Sequence, residues 1–525
     1  MAGPHPDQRR VDNAATGRFP VPVRPNPTRR VATIWLALVL ALVTTPLVGL
    51  AGHAQDADAA TAIRPRITGI KPLTREVYGY LPYWRLDSGT AARLHYDYVS
   101  TIAFFGLGIL ANGTIDTSWV GYKEYVGDDA AAVTNAAHDK GVRVVPTFQL
   151  FDSGALHKMT AFLGSDAAQA TFIAQALALM ADRKADGANL DFEPMSAAMT
   201  PAYLSFVAKL RAAMLARFPG STLVNSTSAG AGAALVAGLV PLVDKQMVMT
   251  YGYRTTTATV AGAVAPLAHA ARNVDIHITR ILQSAPAASI LLGVPYYGFD
   301  WPVTSAVPNA TVQTDKTTFG PAKSITYAAA RAYLAAHPTI VRHHDTVEGS
   351  AYYIYRDAVK KTYREVYFDD EVSLAAKYDY ALVKGLGGIG IWTLDNDHGY
   401  GQLWSVLRAK FYAPIRATTV TASTSGLRRS AGAVSVIVHG SVRNTGTVPV
   451  TGRWWWSIRD QGGHTVLTGS WSSSTIYPGR TLSHGRLVRL GLATHLPAGR
   501  YTLRMIFKSG STGWRSADVG FRQPY

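Results

Sequence analysis

The sequence predicts an α/β chain with two folded parts. The first is a closed parallel (β/α)8 barrel of TIM type over residues 76–412, carrying a small α+β insertion at about 303–370. The second is an all-β sandwich over residues 416–525. Three observations point there. Eight short β-branched or aromatic runs alternate with longer helical stretches between Glu76 and Tyr412. The interval between the seventh run and the eighth is too long for one helix and holds strand-like runs of its own. After Pro414 the helical pattern stops and β-type runs recur at hairpin spacing. An open doubly wound sheet is the alternative for the first part; its length and the count of eight favour closure.

The first strand is Val77–Tyr80, leading into Leu81-Pro82-Tyr83-Trp84, and the second is Val99–Phe105. An Ala-rich helical run precedes the third, Val142–Phe148. The fourth lies within Asp186–Glu193, between amphipathic helices near Ala167–Lys184 and Ala202–Arg217. The fifth and sixth are Thr222–Ser226 and Gln246–Tyr251. A helix near Arg272–Ser284 leads to the seventh, Ser289–Val294, and a helix near Ser373–Lys384 leads to the eighth, Gly388–Leu394. In the insertion, Ala351–Tyr355 and Tyr363–Phe368 read as strands and Ala328–Ala336 as a helix, placed to wall one side of a cleft. In the sandwich the runs are Val434–Val442, Trp454–Ile458, Leu487–Leu490 and Tyr501–Phe507, separated by turn signals such as Asn444-Thr445-Gly446.

Hydrophobic residues make up 48% and charged residues 16%, the balance of a folded globular protein rather than a disordered one. The basic flank of residues 1–30, the apolar run Val31–Leu50 and the small residues after it read as an export signal over residues 1–54. The run is also about long enough to span a bilayer, so an uncleaved anchor is the competing reading. Either way the rest of the chain is expected outside the cytoplasm. Residues 55–75 read as a linker. Cysteine is absent, which excludes disulfides, thiolate metal sites and a cysteine nucleophile. The net charge of +17 is uneven: residues 416–525 hold thirteen Arg and one Lys against two Asp. A basic module beside a nearly neutral one suggests attraction to an anionic surface. Export makes anionic cell-wall polymers the expected partner and sets nucleic acid aside.

The stretch Asp186-Gly187-Ala188-Asn189-Leu190-Asp191-Phe192-Glu193 is the centre of the chain. On a strand its side chains alternate, so Asn189, Asp191 and Glu193 share one face while Leu190 and Phe192 pack on the other. Three polar groups on one face of a buried strand are costly unless a cavity and partners receive them. In such a barrel the reactive groups lie at the C-terminal ends of strands, where Glu193 sits. Tyr80, Tyr83, Trp84, Tyr251, Tyr297 and Trp392 lie at or just past other strand ends, and aromatic faces around a carboxylic acid suit a sugar. Two decoys are set aside. Gly385–Gly390 fits a dinucleotide-binding spacing, but the helix precedes it and the strand follows. His343-His344-Asp345 reads as a surface loop rather than a metal site. No metal or cofactor is expected.

The stretch 186–193 resembles the signature of glycoside hydrolase family 18, the chitinase family. Met249-Thr250-Tyr251 resembles that family's sixth-strand motif, Pro295-Tyr296-Tyr297-Gly298 its seventh, and Trp392 in Gly390-Ile391-Trp392 its eighth; Thr147 matches a hydroxyl position on the third strand. The resemblance implies an exported, substrate-assisted retaining hydrolase of β-1,4-linked N-acetylglucosamine polymers. Glu193 is then the general acid, Asp191 orients the sugar's 2-acetamido group, and Tyr251 donates to its oxygen. Asn189, Tyr80, Thr147, Met249, Tyr297 and Trp392 are the implied substrate-binding residues. Two positions depart from the family pattern. Asn189 stands at the first acidic position, and Gly252 where an Asp often follows the Tyr. Asn at the first position also resembles a branch that cuts peptidoglycan or short oligosaccharides. A non-catalytic, lectin-like sugar binder is the reading from another class.

Overall fold

The computed structural model describes residues 62–68, 71–152, 157–413, 416–430, 433–446, 448–490, 497–510 and 513–523. The expected export signal or anchor over residues 1–54 lies outside the described residues. The chain forms two compact units, one holding residues 75–410 with the segment before residue 67, the other holding 67–74 with 411–525.

In the first unit seven strands come in sequence: β1 (Glu76–Pro82), β2 (Thr101–Gly108), β3 (Arg143–Phe151), β4 (Gly187–Glu193), β5 (Thr222–Ser228), β6 (Lys245–Met249) and β7 (Ile290–Pro295). Five further strands, β8 (Tyr297–Val303), β9 (Lys323–Thr326), β10 (His343–Asp345), β11 (Ser350–Asp357) and β12 (Thr362–Phe368), form a separate sheet in the order β10-β11-β12-β8-β9. Then β13 (Gly388–Trp392) inserts between β7 and β1 and closes an eight-stranded parallel barrel. The expected barrel with its α+β insertion is what forms.

Local chemistry explains where the strands end. Proline has no N–H to give the ladder, and β1 and β7 stop at Pro82 and Pro295 while Pro194 follows β4. Gly187 begins β4 because a Cβ there would lie 1.9 Å from the Thr222 carbonyl oxygen of β5. The flanking helices start on side-chain caps: Ser165 accepts from the Ala168 N–H before Asp166–Asp182, and Asp370 forms a capping box with Ser373 before Glu371–Val383. The outward face of β4 packs on the helices Lys158–Leu163, Asp166–Asp182 and Thr200–Arg217. Phe192 stacks on Phe206 of Thr200–Arg217 at 5.6 Å, and Phe162 and Phe172 complete a buried aromatic layer. Each such ring contributes roughly 1.5–3 kcal/mol by leaving water.

Three expectations need correction. The insertion begins at Tyr297, not near residue 303, because the aromatic run after Pro295 pairs with β12 and β9 without a turn signal to mark the change. His343-His344-Asp345 is the edge strand β10 rather than a loop; Asp345 is buried and accepts from the Tyr367 hydroxyl at 2.9 Å. Within the expected linker, Arg64 pairs with Asp139 and Arg66 with Asp186, so residues 62–66 pack on the barrel unit.

The second unit holds β14 (Thr418–Ser430), β15 (Ala433–Asn444), β16 (Val450–Arg459), β17 (Thr465–Ile476), β18 (Thr481–Arg489), β19 (Gly499–Ser509) and β20 (Gly513–Gln523). A three-stranded sheet, β14-β15-β18, and a four-stranded sheet, β17-β16-β19-β20, are both antiparallel. Val436 and Val438 of the first pack with Trp456, Ile458, Leu503 and Met505 of the second, giving a two-layer sandwich core.

Candidate active site

Alternation on β4 divides the stretch as expected. Asn189 and Asp191 are buried, Glu193 at the C-terminal end is partly open, and all three project to the face opposite Leu190 and Phe192. Asp186, at the other end, takes no part in this face. It accepts from the Val144 N–H at 2.8 Å, from Arg66 at 2.7 Å, and lies 3.1 Å from His138 Nε2, tying the segment before the barrel to its base.

The pairing with β3 places Thr147 beside Asn189, Gln149 beside Asp191 and Phe151 beside Glu193. The Asn189 amide donates to Ser226 Oγ at 3.1 Å and to Thr147 Oγ1 at 3.4 Å; Ser226 Oγ lies 2.7 Å from the Tyr80 hydroxyl. Neither Asn189 Oδ1 nor Asp191 Oδ1 has a hydrogen-bond partner among the described residues. Both residues lie on one face of β4, where a ligand with donors could satisfy these acceptors.

Burial, and then the neighbouring Glu193 carboxylate, push Asp191 well above the usual carboxylate range. Burial raises Glu193 to about 7. The site therefore holds a carboxylic acid that keeps its proton near neutral pH, beside a second carboxyl group that does not ionise freely. Burial also raises Tyr251, helped by Tyr80, Tyr297 and the two carboxyl groups, so its hydroxyl remains a donor.

Aromatic rings surround the carboxyl groups. Tyr251 and Trp392 lie nearly parallel with centroids 6.3 Å apart, and Tyr297 meets Tyr251 edge-on at 6.4 Å. Trp392 also packs on Phe105 at 4.6 Å and on Tyr80 at 5.3 Å. Gly293 makes room for this cluster, since a Cβ there would lie 2.9 Å from the Tyr251 ring. Met249, at the end of β6, and Trp84 are half-buried against the same barrel core. Tyr80 is only 1% exposed and Tyr297 4%, so these two lie beneath the half-open rings of Tyr251 and Trp392. Sequence reasoning missed Gln149, Ser226 and Phe105. Each lies on a strand that was recognised, but only the register between strands brings it to this face. A separate open cleft of about 410 Å³ lies on the insertion, among Tyr352, Tyr355, Arg356 and Tyr363, and none of the residues around the carboxyl groups lines it.

The description "Glycosyl hydrolases family 18" matches residues 120–397, over half of the chain. The chain belongs to glycosyl hydrolases family 18. Among curated relatives of this family 18 protein, YdhD of Bacillus subtilis (strain 168), named for a sporulation-specific glycosylase role, is 24% identical over 309 residues, 57% of this chain and 66% of YdhD. Chitotriosidase-1 of Mus musculus is 26% identical over 274 residues, 47% of this chain and 56% of its own length. The chain thus spans between about half and just under two thirds of these two relatives. A family 18 chitinase from Cycas revoluta, solved in complex with (GlcNAc)3, superposes with a TM-score of 0.56 at 17% identity over 64% of this chain and 99% of that one. That likeness is one of fold. Membership of family 18 and its barrel fold are therefore established for this protein.

Proposed function

We propose that this family 18 protein hydrolyses β-1,4-linked N-acetylglucosamine polymers outside the cytoplasm, with retention of configuration and with assistance from the substrate itself. The observation that carries this reading is the pair Asp191 and Glu193 on one face of β4, both held above the ordinary carboxylate range. Glu193 is the outer of the two and carries a proton near pH 7, as a general acid for the glycosidic oxygen requires. Asp191 lies deeper and has an oxygen without a protein partner, which suits acceptance of the acetamido N–H. The acetamido oxygen then attacks the anomeric carbon as the leaving group takes the Glu193 proton. The Asp191 oxygen holds the acetamido N–H as positive charge develops on the ring, and Tyr251 donates to the acetamido oxygen. Water opens the cyclic intermediate while Glu193 accepts its proton, so no protein nucleophile is needed. The parallel faces of Tyr251 and Trp392 offer a stacking surface for the sugar.

Chitin and chitooligosaccharides fit this chemistry, as does peptidoglycan. Asn189 cannot carry charge beside Asp191, a departure that resembles the branch cutting peptidoglycan or short oligosaccharides, and it leaves both substrates in view. Time-resolved NMR of the newly formed reducing end tests the reaction course. β-Anomer appearing first supports the reading, and α-anomer first contradicts it. Export rests on the apolar run Val31–Leu50. Recovery of the full chain in the medium or on the outer cell surface tests it, and recovery in the cytosol contradicts it.

A further inference from the structure

Asp191 has to serve as a carboxylate in the proposed chemistry, yet its surroundings oppose the charge. Burial and then the neighbouring Glu193 both disfavour ionisation. The other titratable groups around it are Tyr78 and Tyr80 on β1, Tyr203 on the helix Thr200–Arg217 and Tyr251 just past β6. None of these is a cation. A buried carboxylate without a cation beside it needs hydrogen-bond donors instead.

The donors within the site differ in what they have left to give. The Asn189 amide has two protons, and they go to Ser226 Oγ and Thr147 Oγ1. Ser226 has one, and its oxygen already stands 2.7 Å from the Tyr80 hydroxyl. Gln149 Nε2 has two, and it has no hydrogen-bond partner among the described residues.

Gln149 is also in the right place. In the pairing of β3 with β4 it stands directly beside Asp191, so the two side chains share one face. Gln149 is 7% exposed and Asp191 3%, which leaves little water for either. Against burial and Glu193, Gln149 and then Ser226 are the side chains close enough to draw Asp191 back toward the ordinary carboxylate range. The approach of Gln149 is not a completed bond in this structure: its Nε2 and Asp191 Oδ1, a donor and an acceptor, both remain unsatisfied.

We propose that Gln149 is a positioning residue for the reaction: its amide donates to the Asp191 carboxylate when that group is charged and holds it toward the acetamido N–H of the sugar. A carboxylate has lone pairs enough for both donors. The role rests on the proposed reaction, in which Asp191 accepts that N–H.

The test uses the full chain carrying Gln149→Met, which keeps the reach of the side chain and removes the donor. On N-acetylglucosamine oligomers kcat falls about 10- to 100-fold while KM changes less than about twofold. The acidic limb of kcat/KM moves about one pH unit higher, because Asp191 without its donor ionises less readily. Thermal unfolding stays at or above that of the parent, since an unsatisfied buried donor has been removed. A glutamine with a structural role alone gives the reverse, lower stability and an unmoved pH profile. Gln149→Leu is the second variant, should Met pack poorly. A readout without turnover comes from 13C NMR of the aspartate-labelled chain carrying Glu193→Gln, with the Asp191 carboxyl assigned by its absence in Asp191→Asn. That carboxyl titrates at higher pH once Gln149→Met is added. Absence of hydrolysis by the parent contradicts the proposed function, and the carboxyl titration still decides whether Gln149 holds Asp191. An unmoved acidic limb, an unmoved Asp191 titration, or a loss confined to KM overturns the inference.

Discussion

The amide of Asn189 donates to the hydroxyl of Ser226 at 3.1 Å, at a position where the family signature carries an acid. Ser226 in turn meets the Tyr80 hydroxyl at 2.7 Å, so a neutral chain from β4 through β5 to β1 underlies the two carboxyl groups. This arrangement lets the deep part of the site stay uncharged. A second ionised group below Asp191 would raise that residue further still.

Removing the centre of this chain should be felt in both stability and rate. Ser226→Ala leaves the Asn189 amide and the Tyr80 hydroxyl without their shared partner, at a cost of about 1–3 kcal/mol by denaturant unfolding. Turnover of N-acetylglucosamine oligomers should fall with it. Unchanged unfolding would show that Asn189 and Tyr80 find other partners.

The carboxyl groups set a pH dependence whose sign can be worked out. Glu193 titrates near 7 in the fold, above its unfolded value, and Asp191 is also raised. Both bind protons more tightly when folded, so their contribution to stability is present below the unfolded carboxylate range and is lost as pH rises through the folded values, which for Glu193 is about 7. Glu193→Gln removes its share of that loss. The variant should match the parent near pH 4 and be more stable at pH 8, by about 1–3 kcal/mol after allowance for the partial exposure of Glu193. Thermal unfolding at the two pH values checks this; a variant less stable at pH 8 contradicts it. For the same reason kcat/KM should decline on the alkaline side near pH 7, as the free enzyme's acid loses its proton.

Tyr251→Phe removes one hydroxyl and keeps the ring that packs against Trp392. If the hydroxyl stabilises charge developing on the acetamido oxygen, kcat should fall about 100-fold or more with little change in KM. A change confined to KM would assign Tyr251 to binding alone.

The insertion also reaches the loop that carries Tyr251. Arg254 holds Glu348 through two hydrogen bonds, 2.8 and 2.6 Å, and Glu348 accepts from the Ala263 N–H at 2.7 Å. Glu348→Ala leaves Arg254 without that carboxylate. We expect a loss of about 2–4 kcal/mol and a lower kcat on oligomers. Arg254→Ala should produce the same loss of rate, and a normal rate in either variant would show that the loop holds Tyr251 without this clamp.

The barrel was legible in the sequence because its signals are local. Strand and helix periods alternate eight times, and the carboxyl groups of Asp191 and Glu193 fall two residues apart, so a strand must place them on one face. The burial of Tyr80 and the roles of Ser226 and Gln149 were not legible. They depend on which residue of one strand stands beside which residue of the next, and no short-range pattern encodes that register. The shift of β8 into the insertion sheet escaped for a related reason. Tyr296–Trp301 has the same aromatic character as a barrel strand, and its partner in β12 lies more than sixty residues away. In the sandwich, alternation alone required Trp455 to face opposite Trp454 and Trp456; burial of those two assigned the outward direction.

The most direct test of the central claim is release of product from defined N-acetylglucosamine oligomers by the parent chain and by Glu193→Gln, compared at pH 6 with matched thermal unfolding. The account predicts hydrolysis by the parent and a loss of at least about 1,000-fold in the variant with the fold retained. Undiminished hydrolysis by Glu193→Gln, or none by a folded parent, would contradict it.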